Sequence, residues 1–182
     1  REQINLIKTD ISKEMEIVES FHKKIIDYSQ LKVFVEKLSM CLFLEDTART
    51  LSSEVSRLFG DSQTTIILYL FHSKTGELGI SSSHKGEMRV NIKSKKGDAF
   101  DRWIVKTMQP LLIEDVRREY RFDIDQIELE DHRQVRSLLS VPLVIGHKAL
   151  GILRIDSPRE NRFSTDRLRL FMAIGDLAAV AI

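Results

Sequence analysis

The chain has 182 residues, 42% of them hydrophobic and 30% charged, which fits a globular domain with an extra element and excludes a disordered or fibrous chain. Lys and Arg total 28 against 27 Asp and Glu, a net charge of +1, so bulk charge gives no case for binding nucleic acid or an anionic membrane. No signal peptide is read at the start of these residues, no apolar run of about 18 residues could span a membrane, and there is a single cysteine, Cys41; the expectation is a reducing, cytoplasmic setting without disulfides.

In chain order, residues 1–30 place Ile4, Ile7, Ile11, Val18, Phe21, Ile25 and Tyr28 at the a and d positions of successive heptads, with Glu14 the one lapse at d. No Pro or Gly interrupts them. So narrow an apolar strip cannot make a core alone and calls for a second helix. The segment is expected to be a coiled-coil signalling helix, paired in parallel with its counterpart in a second subunit; the plainer alternative is an amphipathic helix lying on its own domain. Helical periodicity continues through Val35, Leu38, Leu42, Ala48, Leu51, Val55 and Leu58, and Gly60 stands where a C′ residue belongs. Residues 31–59 should therefore open a domain covering 31–182, with Cys41 a small buried hydrophobe inside its first helix.

Thr64 to Phe71 is rich in β-branched and aromatic residues, the segment 73–76 turns the chain, and Glu77 to Ser81 returns as the second strand of a hairpin. Met88, Val90 and Ile92 alternate with Arg89 and Asn91, as in a half-exposed strand, and 93–96 is a basic loop. Asp98 to Met108 reads as a short helix stopped by Pro110, and Leu111 to Ile113 as a short buried strand. Residues 116–136 are charged and poor in core-type side chains, which suits a lid of turns and short helix.

Leu138 to Ile145 and Ala149 to Asp156 flank Gly146, and this predicts a second hairpin with glycine supplying the positive φ of a tight turn. Pro142 has no N–H to give, so local irregularity is expected there. Ser164 is placed as an N-cap, with Phe163 and Leu168 spaced for a hydrophobic staple. The helix that follows carries Leu168, Phe171, Met172, Gly175, Ala179 and Ile182 on one face and Leu170, Ile174, Leu177 and Ala181 on a second, so it should need two partners. The helical pattern runs to Ile182 and the chain opens on Arg1, which suggests a segment of a longer protein.

Arg154 is the residue with most to explain. Gly151, Leu153 and Ile155 share one strand face, and Ile152, Arg154 and Asp156 the other. If the apolar set is core, Arg154 is buried opposite and needs an anionic ligand or a carboxylate, with Asp98, Asp123 and Asp131 as candidates. His22, His72, His84, His132 and His147 are dispersed without metal-site spacing, so zinc has little support and a haem on one histidine is the only such reading left open. Asp123, Asp125 and Glu128 imitate a calcium loop, but Glu128 stands where that loop needs glycine. These acids are read as a solvated lid paired with Arg117, Arg118 and Arg121, and Asp115 as a turn or capping residue. The chain has no Gly-rich phosphate loop, no Gly-x-Ser-x-Gly and no Cys and His placed as nucleophile and base. No enzyme is expected.

The ordered series Gly97, Trp103, Pro-Leu-Leu-Ile-Glu-Asp-Val at 110–116, Ser-Leu-Leu-Ser-Val-Pro-Leu at 137–143, Leu-Gly-Ile-Leu-Arg-Ile at 150–155, Phe-Ser at 163–164 and an Ala-rich last helix resembles a GAF domain over roughly residues 35–182. The resemblance implies an α+β fold: a central antiparallel sheet of about five to six strands, terminal helices on one face, ligand pocket and lid on the other. It also implies pocket contacts from Asp98, from the lid near Phe122, Glu128, Asp131 and Val135, and from Arg154. Phe100, Trp103 and Phe122 are large residues aimed at that cavity. GAF domains that bind cyclic nucleotides carry an Asn-Lys pair, a Phe and an Asp-Glu pair. Here those places hold Asp156-Ser157, Phe163 and Arg167-Leu168, so only the Phe is kept, which argues against cyclic GMP or AMP. Bilin attachment needs a thiol at the pocket, not in the first helix. GAF-like methionine sulfoxide reductases need an attacking and a resolving thiol, and this chain has one.

The function expected is a cytoplasmic sensor cut from a histidine kinase, transcriptional activator, nucleotide cyclase or similar regulator. A small ligand, of a class the sequence does not name, would close the lid and shift helices paired across a homodimer. The alternative is a dimerisation and relay module whose pocket is filled by its own side chains.

Overall fold

A computed structural model describes residues 2–86, 88–90, 96–122 and 134–182, with 2–7 as backbone alone. The chain divides into two units, Arg1–Glu36 and Lys37–Ile182. The first is made of the helix α1 (Glu2–Ser39), whose last residues reach into the second. Its 38 residues span about 57 Å at the α-helical rise. Of the heptad positions, Ile11, Val18, Phe21, Ile25 and Tyr28 are all exposed; the side chains of Ile4 and Ile7 lie outside the described residues.

The periodicity through 31–59 predicts one helix, and the structure breaks it. α1 ends at Ser39, and α2 (Leu44–Phe59) starts after the connection 40–43, with Phe43 as an N-cap that makes no side-chain bond. No Pro, Gly or capping side chain marks the break. Cys41 consequently sits in the connection, half-buried, with Sγ 3.5 Å from the Lys37 carbonyl and 3.4 Å from Thr50 Oγ1. It is not a buried residue of a first helix. Gly60 closes α2 with an extended backbone and not a left-handed one, and glycine is needed there because a Cβ would come 2.6 Å from the Ser56 carbonyl oxygen.

The strands are β1 (Thr65–Phe71), β2 (Leu78–Lys85), β3 (Met88–Arg89), β4 (Leu111–Ile113), β5 (Ser137–Ile145) and β6 (Lys148–Ser157), and they form one antiparallel sheet of order β3-β2-β1-β6-β5-β4. The expected strand through Ile92 is described only to Arg89, and residues 91–95 lie outside the description. β2 runs beyond the expected Ser81, with a bulge where Leu68 pairs Ser82 and Tyr69 pairs Ile80. Gly146 takes φ +57° in the turn between β5 and β6. Pro142 is accommodated because β4 covers β5 only at Leu138–Ser140, so at Pro142 that side of the strand is an open edge; the register then shifts between Leu143 and Val144.

Alternation sorts the side chains into two layers. Leu153 pairs with Val141 and with Leu68, and Leu68 with Ser82. This face takes both helices: Ser52 of α2 reaches Ser82 at 2.6 Å, and Gly175 of α4 (Thr165–Ala181) lies against Val141. Phe59 and Phe171 meet edge to face at 5.2 Å, and Arg167 donates to the Leu58 carbonyl, joining α2 to α4. Ser164 caps α4 through the Arg167 amide, as expected. The two apolar faces expected of α4 merge into one buried stripe, Leu170, Phe171, Ile174, Gly175, Ala178 and Ala179, with Met172 and Val180 exposed. Adjacent pairs repeating every four residues cover a single arc wide enough for one sheet.

Gly151 pairs with Leu70 where β6 lies beside β1, and a Cβ there would lie 2.0 Å from the Tyr69 carbonyl oxygen, a backbone atom that cannot swing aside. Gly151→Ala is expected to cost at least about 2 kcal/mol in urea unfolding. Gly79→Ala, with nothing nearer than 4.0 Å, should stay within about 1 kcal/mol.

Candidate functional site

The opposite face of the sheet carries α3 (Ala99–Thr107). Its start is built by Gly97, whose φ of +78° suits glycine, and by Asp98, whose Oδ1 accepts from the amides of Phe100 at 2.9 Å and Asp101 at 3.3 Å. Asp101 returns the bond, its Oδ2 accepting from the Asp98 amide at 2.9 Å, which completes a capping box. The helix stops at Met108 in the left-handed conformation, two residues before Pro110.

Both capping carboxylates do a second job. Arg154 pairs with Ile67 on one side and Ser140 on the other, and points toward α3 with no exposed surface. Its Nη1 donates to Asp98 Oδ2 at 2.8 Å and to Asp101 Oδ2 at 3.0 Å, its Nε donates to Asp156 Oδ1 at 2.6 Å, and its carbon lies 5.4 Å from the Phe100 ring centroid. Burial alone would favour discharging the guanidinium, but Asp101, Asp156 and Asp98 hold it protonated, well above its ordinary range. Burial raises the Asp101 carboxyl to about 6; Arg154 pulls it down and Asp98 adds to the rise. Of the carboxylates expected for Arg154, Asp98 is present, while Asp123 and Asp131 lie outside the described residues. Asp101 was missed, although Asp-x-x-Asp after a glycine is a readable helix start.

The remaining site residues fall around this cluster. Phe100 and Phe122 meet edge to face at 4.8 Å and Trp103 and Phe122 at 6.3 Å, so the large aromatics pack on one another. Val135 is buried in the same layer with Ile67, Tyr69, Ile104 and Leu138. Glu128, like Asp131, lies outside the described residues. Asp115 is a cap, accepting from the Arg117 amide, and it also forms a two-point ion pair with Arg136, at 3.0 and 3.1 Å, that sequence reasoning did not find. Arg121 pairs with Glu119 and Arg118 with Asp115; the acids Asp123, Asp125 and Glu128 expected as their partners lie outside the described residues.

On the α2 side, an open cleft of about 630 Å³ lies at the 40–43 connection, between the apolar Met40, Leu42 and Phe43 and the charged Lys37, Asp46, Arg49 and Glu54. Burial pushes the Glu54 carboxyl up, yet hydrogen bonds and charge from Lys37 and Arg57 hold it below the usual range. Among the described residues no cluster of His, Cys, Asp or Glu could hold a metal ion, and no helix is long and apolar enough to cross a membrane.

A family model described as GAF domain matches residues 43–182. No curated protein matches the chain in sequence. Among solved structures, the GAF domain of Acinetobacter phosphoenolpyruvate-protein phosphotransferase superposes with TM-score 0.69 at 15% identity, over 86% of this chain and 92% of that one. A Burkholderia vietnamiensis protein described as a GAF sensor gives 0.67 at 18%, over 86% and 93%. Free methionine-R-sulfoxide reductase from Neisseria meningitidis, solved with its substrate, gives 0.65 at 14%, over 87% and 89%. At such identities the likeness establishes a shared fold.

Removing Arg154 would leave Asp98, Asp101 and Asp156 facing one another in a dry layer. Arg154→Met should lose roughly 3–5 kcal/mol in urea unfolding at pH 7.5. The loss should shrink at pH 5, where the stranded carboxylates can take protons; an equal loss at both pH values would show that the charge is balanced elsewhere.

Proposed function

This chain belongs to the GAF domain family, and on that premise we propose that it is a cytoplasmic regulatory sensor within a multidomain signalling protein, binding a small ligand between the Arg154 face and the 116–136 segment and relaying it through helices paired across a homodimer. The observation that carries the relay is the α1 strip: Ile11, Val18, Phe21 and Ile25 are each more than half exposed, at 51, 54, 60 and 65%. An uninterrupted helix with apolar side chains at that spacing loses its exposed surface most simply against a copy of itself. Met172 and Val180 add exposed apolar surface on α4.

The chemistry at Arg154 narrows the ligand. Three carboxylates of the chain engage Nε and Nη1 of the guanidinium, while its buried Nη2 has no hydrogen-bond partner among the described residues, so a ligand reaching this layer meets a charged donor beside carboxylate acceptors, which favours a small polar molecule able both to accept and to donate. The catalytic alternative suggested by the reductase fold has less support: thiol redox chemistry of that kind needs an attacking and a resolving thiol, and this chain has only Cys41, on the α2 side. One observation favours a ligand-free relay, namely the packing of Phe100, Trp103 and Phe122 on one another where a ligand would lie.

Sedimentation and thermal-shift measurements separate these readings. The chain should sediment as a dimer and Phe21→Glu with Ile25→Glu as a folded monomer; a monomeric parent chain removes the relay. Small polar molecules should include one that raises Tm with concentration, as linkage requires. Dimers indifferent to every compound would leave the ligand-free relay.

A further inference from the structure

Asp101 is a buried acid whose charge this fold balances incompletely. Its side chain is wholly buried, its Oδ2 serves both the Asp98 amide and Arg154 Nη1, and its Oδ1 has no hydrogen-bond partner among the described residues. The same Nη1 also serves Asp98 Oδ2 at 2.8 Å, so two carboxylates converge on one nitrogen. Like charges that close in a dry layer are relieved when one of them takes a proton. Asp98 is the better anion, since it accepts from two amides at the helix N-terminus and Asp101 from one. A second observation points to the same layer: Ser140, wholly buried and paired with Arg154 in the ladder, leaves its Oγ without a partner among the described residues. The charged groups acting on Asp101 are Asp98 from the loop before α3 and Arg154 from β6; Arg154 in turn is faced by Asp156 of β6 and Tyr69 of β1, and β5 contributes the neutral Ser140.

We propose that Asp101 is a proton-binding site through which the domain responds to mildly acidic pH. Protonated, it holds the first turn of α3 on β6; deprotonated, its charge opposes that of Asp98 and weakens the hold. The response needs no ligand, so it stands or falls separately from the sensor reading.

The carboxyl is raised from 3.8 to about 6 on folding. A raised acid binds more protons folded than unfolded, so its stabilising effect is full below 3.8 and is lost as pH rises through about 6. His84, held down by burial and by Arg89 and Arg49, acts with the opposite sign in a neighbouring window. Comparing variants cancels that contribution.

The experiment is Tm against pH from 4.5 to 8 for the full chain and for Asp101→Asn, whose side-chain oxygen can still accept from Asp98 and Arg154. The Asn variant should gain on the parent by several degrees as pH rises, with most of the change below about pH 6 and little above about pH 7; a difference that does not vary with pH overturns the proposal. If the variant does not fold, a carbon-13 titration of the Asp101 carboxyl in the unaltered chain decides: a midpoint above about 5 supports a proton site, and one below it, nearer the ordinary aspartate value, overturns it. Trp103, the single tryptophan, lies on α3, and its emission should shift with the same midpoint in the parent chain.

Discussion

The Arg154 guanidinium lies in a layer with no exposed surface, and its retention there depends on Asp98, Asp101 and Asp156 acting together. A lone buried cation costs several kcal/mol, and attraction to carboxylates offsets this only when the geometry is close. Here it is close, at 2.6 to 3.0 Å. Such a cluster is weak evidence for net stability, because an apolar set of the same volume often does as well. What it adds is placement: the guanidinium accepts α3 in one position, with its first turn over β6.

That placement is economical in residues. Asp98 and Asp101 cap each other's backbone and also grip Arg154, Asp98 through its second oxygen and Asp101 through the same Oδ2 that accepts from the Asp98 amide. Gly97 makes the arrangement reachable, since a Cβ there would come 2.8 Å from the Asp101 Cβ. Helix initiation and helix docking thus share the same two carboxylates, and α3 cannot shift along the sheet without losing their bonds to Arg154.

The parts legible in sequence were those whose cause is local. Gly146 between two apolar runs fixed the last hairpin, Ser164 fixed the start of α4, and strand alternation alone put Arg154 opposite Leu153 and Ile155. The break at 40–43 was not legible, because Met40, Cys41, Leu42 and Phe43 are all compatible with a helix and nothing among them signals a stop. Arg136 and Asp115 were missed as partners for a different reason: they are 21 residues apart, and only the fold brings them together. The same holds for Asp101 and Arg154, 53 residues apart. Sequence could say that Arg154 needed a carboxylate, but choosing among the acids takes the register of β6 against α3.

The position of the cluster on β6 bears on how a change there could travel. Arg154 stands between Leu153 and Ile155, which face the α2 and α4 side and are fully buried. Leu153 pairs with Val141, and Val141 touches Gly175 of α4 with no side chain between them to absorb a shift. A displacement of Arg154, whether driven by a proton on Asp101 or by a ligand above it, moves backbone shared with its two neighbours. Close-packed layers transmit such shifts because they hold no free volume to dissipate them. Coupling of this kind is typically worth about 1–3 kcal/mol, comparable to what one buried charge gains or loses when its partners change. The strand that carries the charge is therefore paired along its length with β5, the strand on which the terminal helix packs.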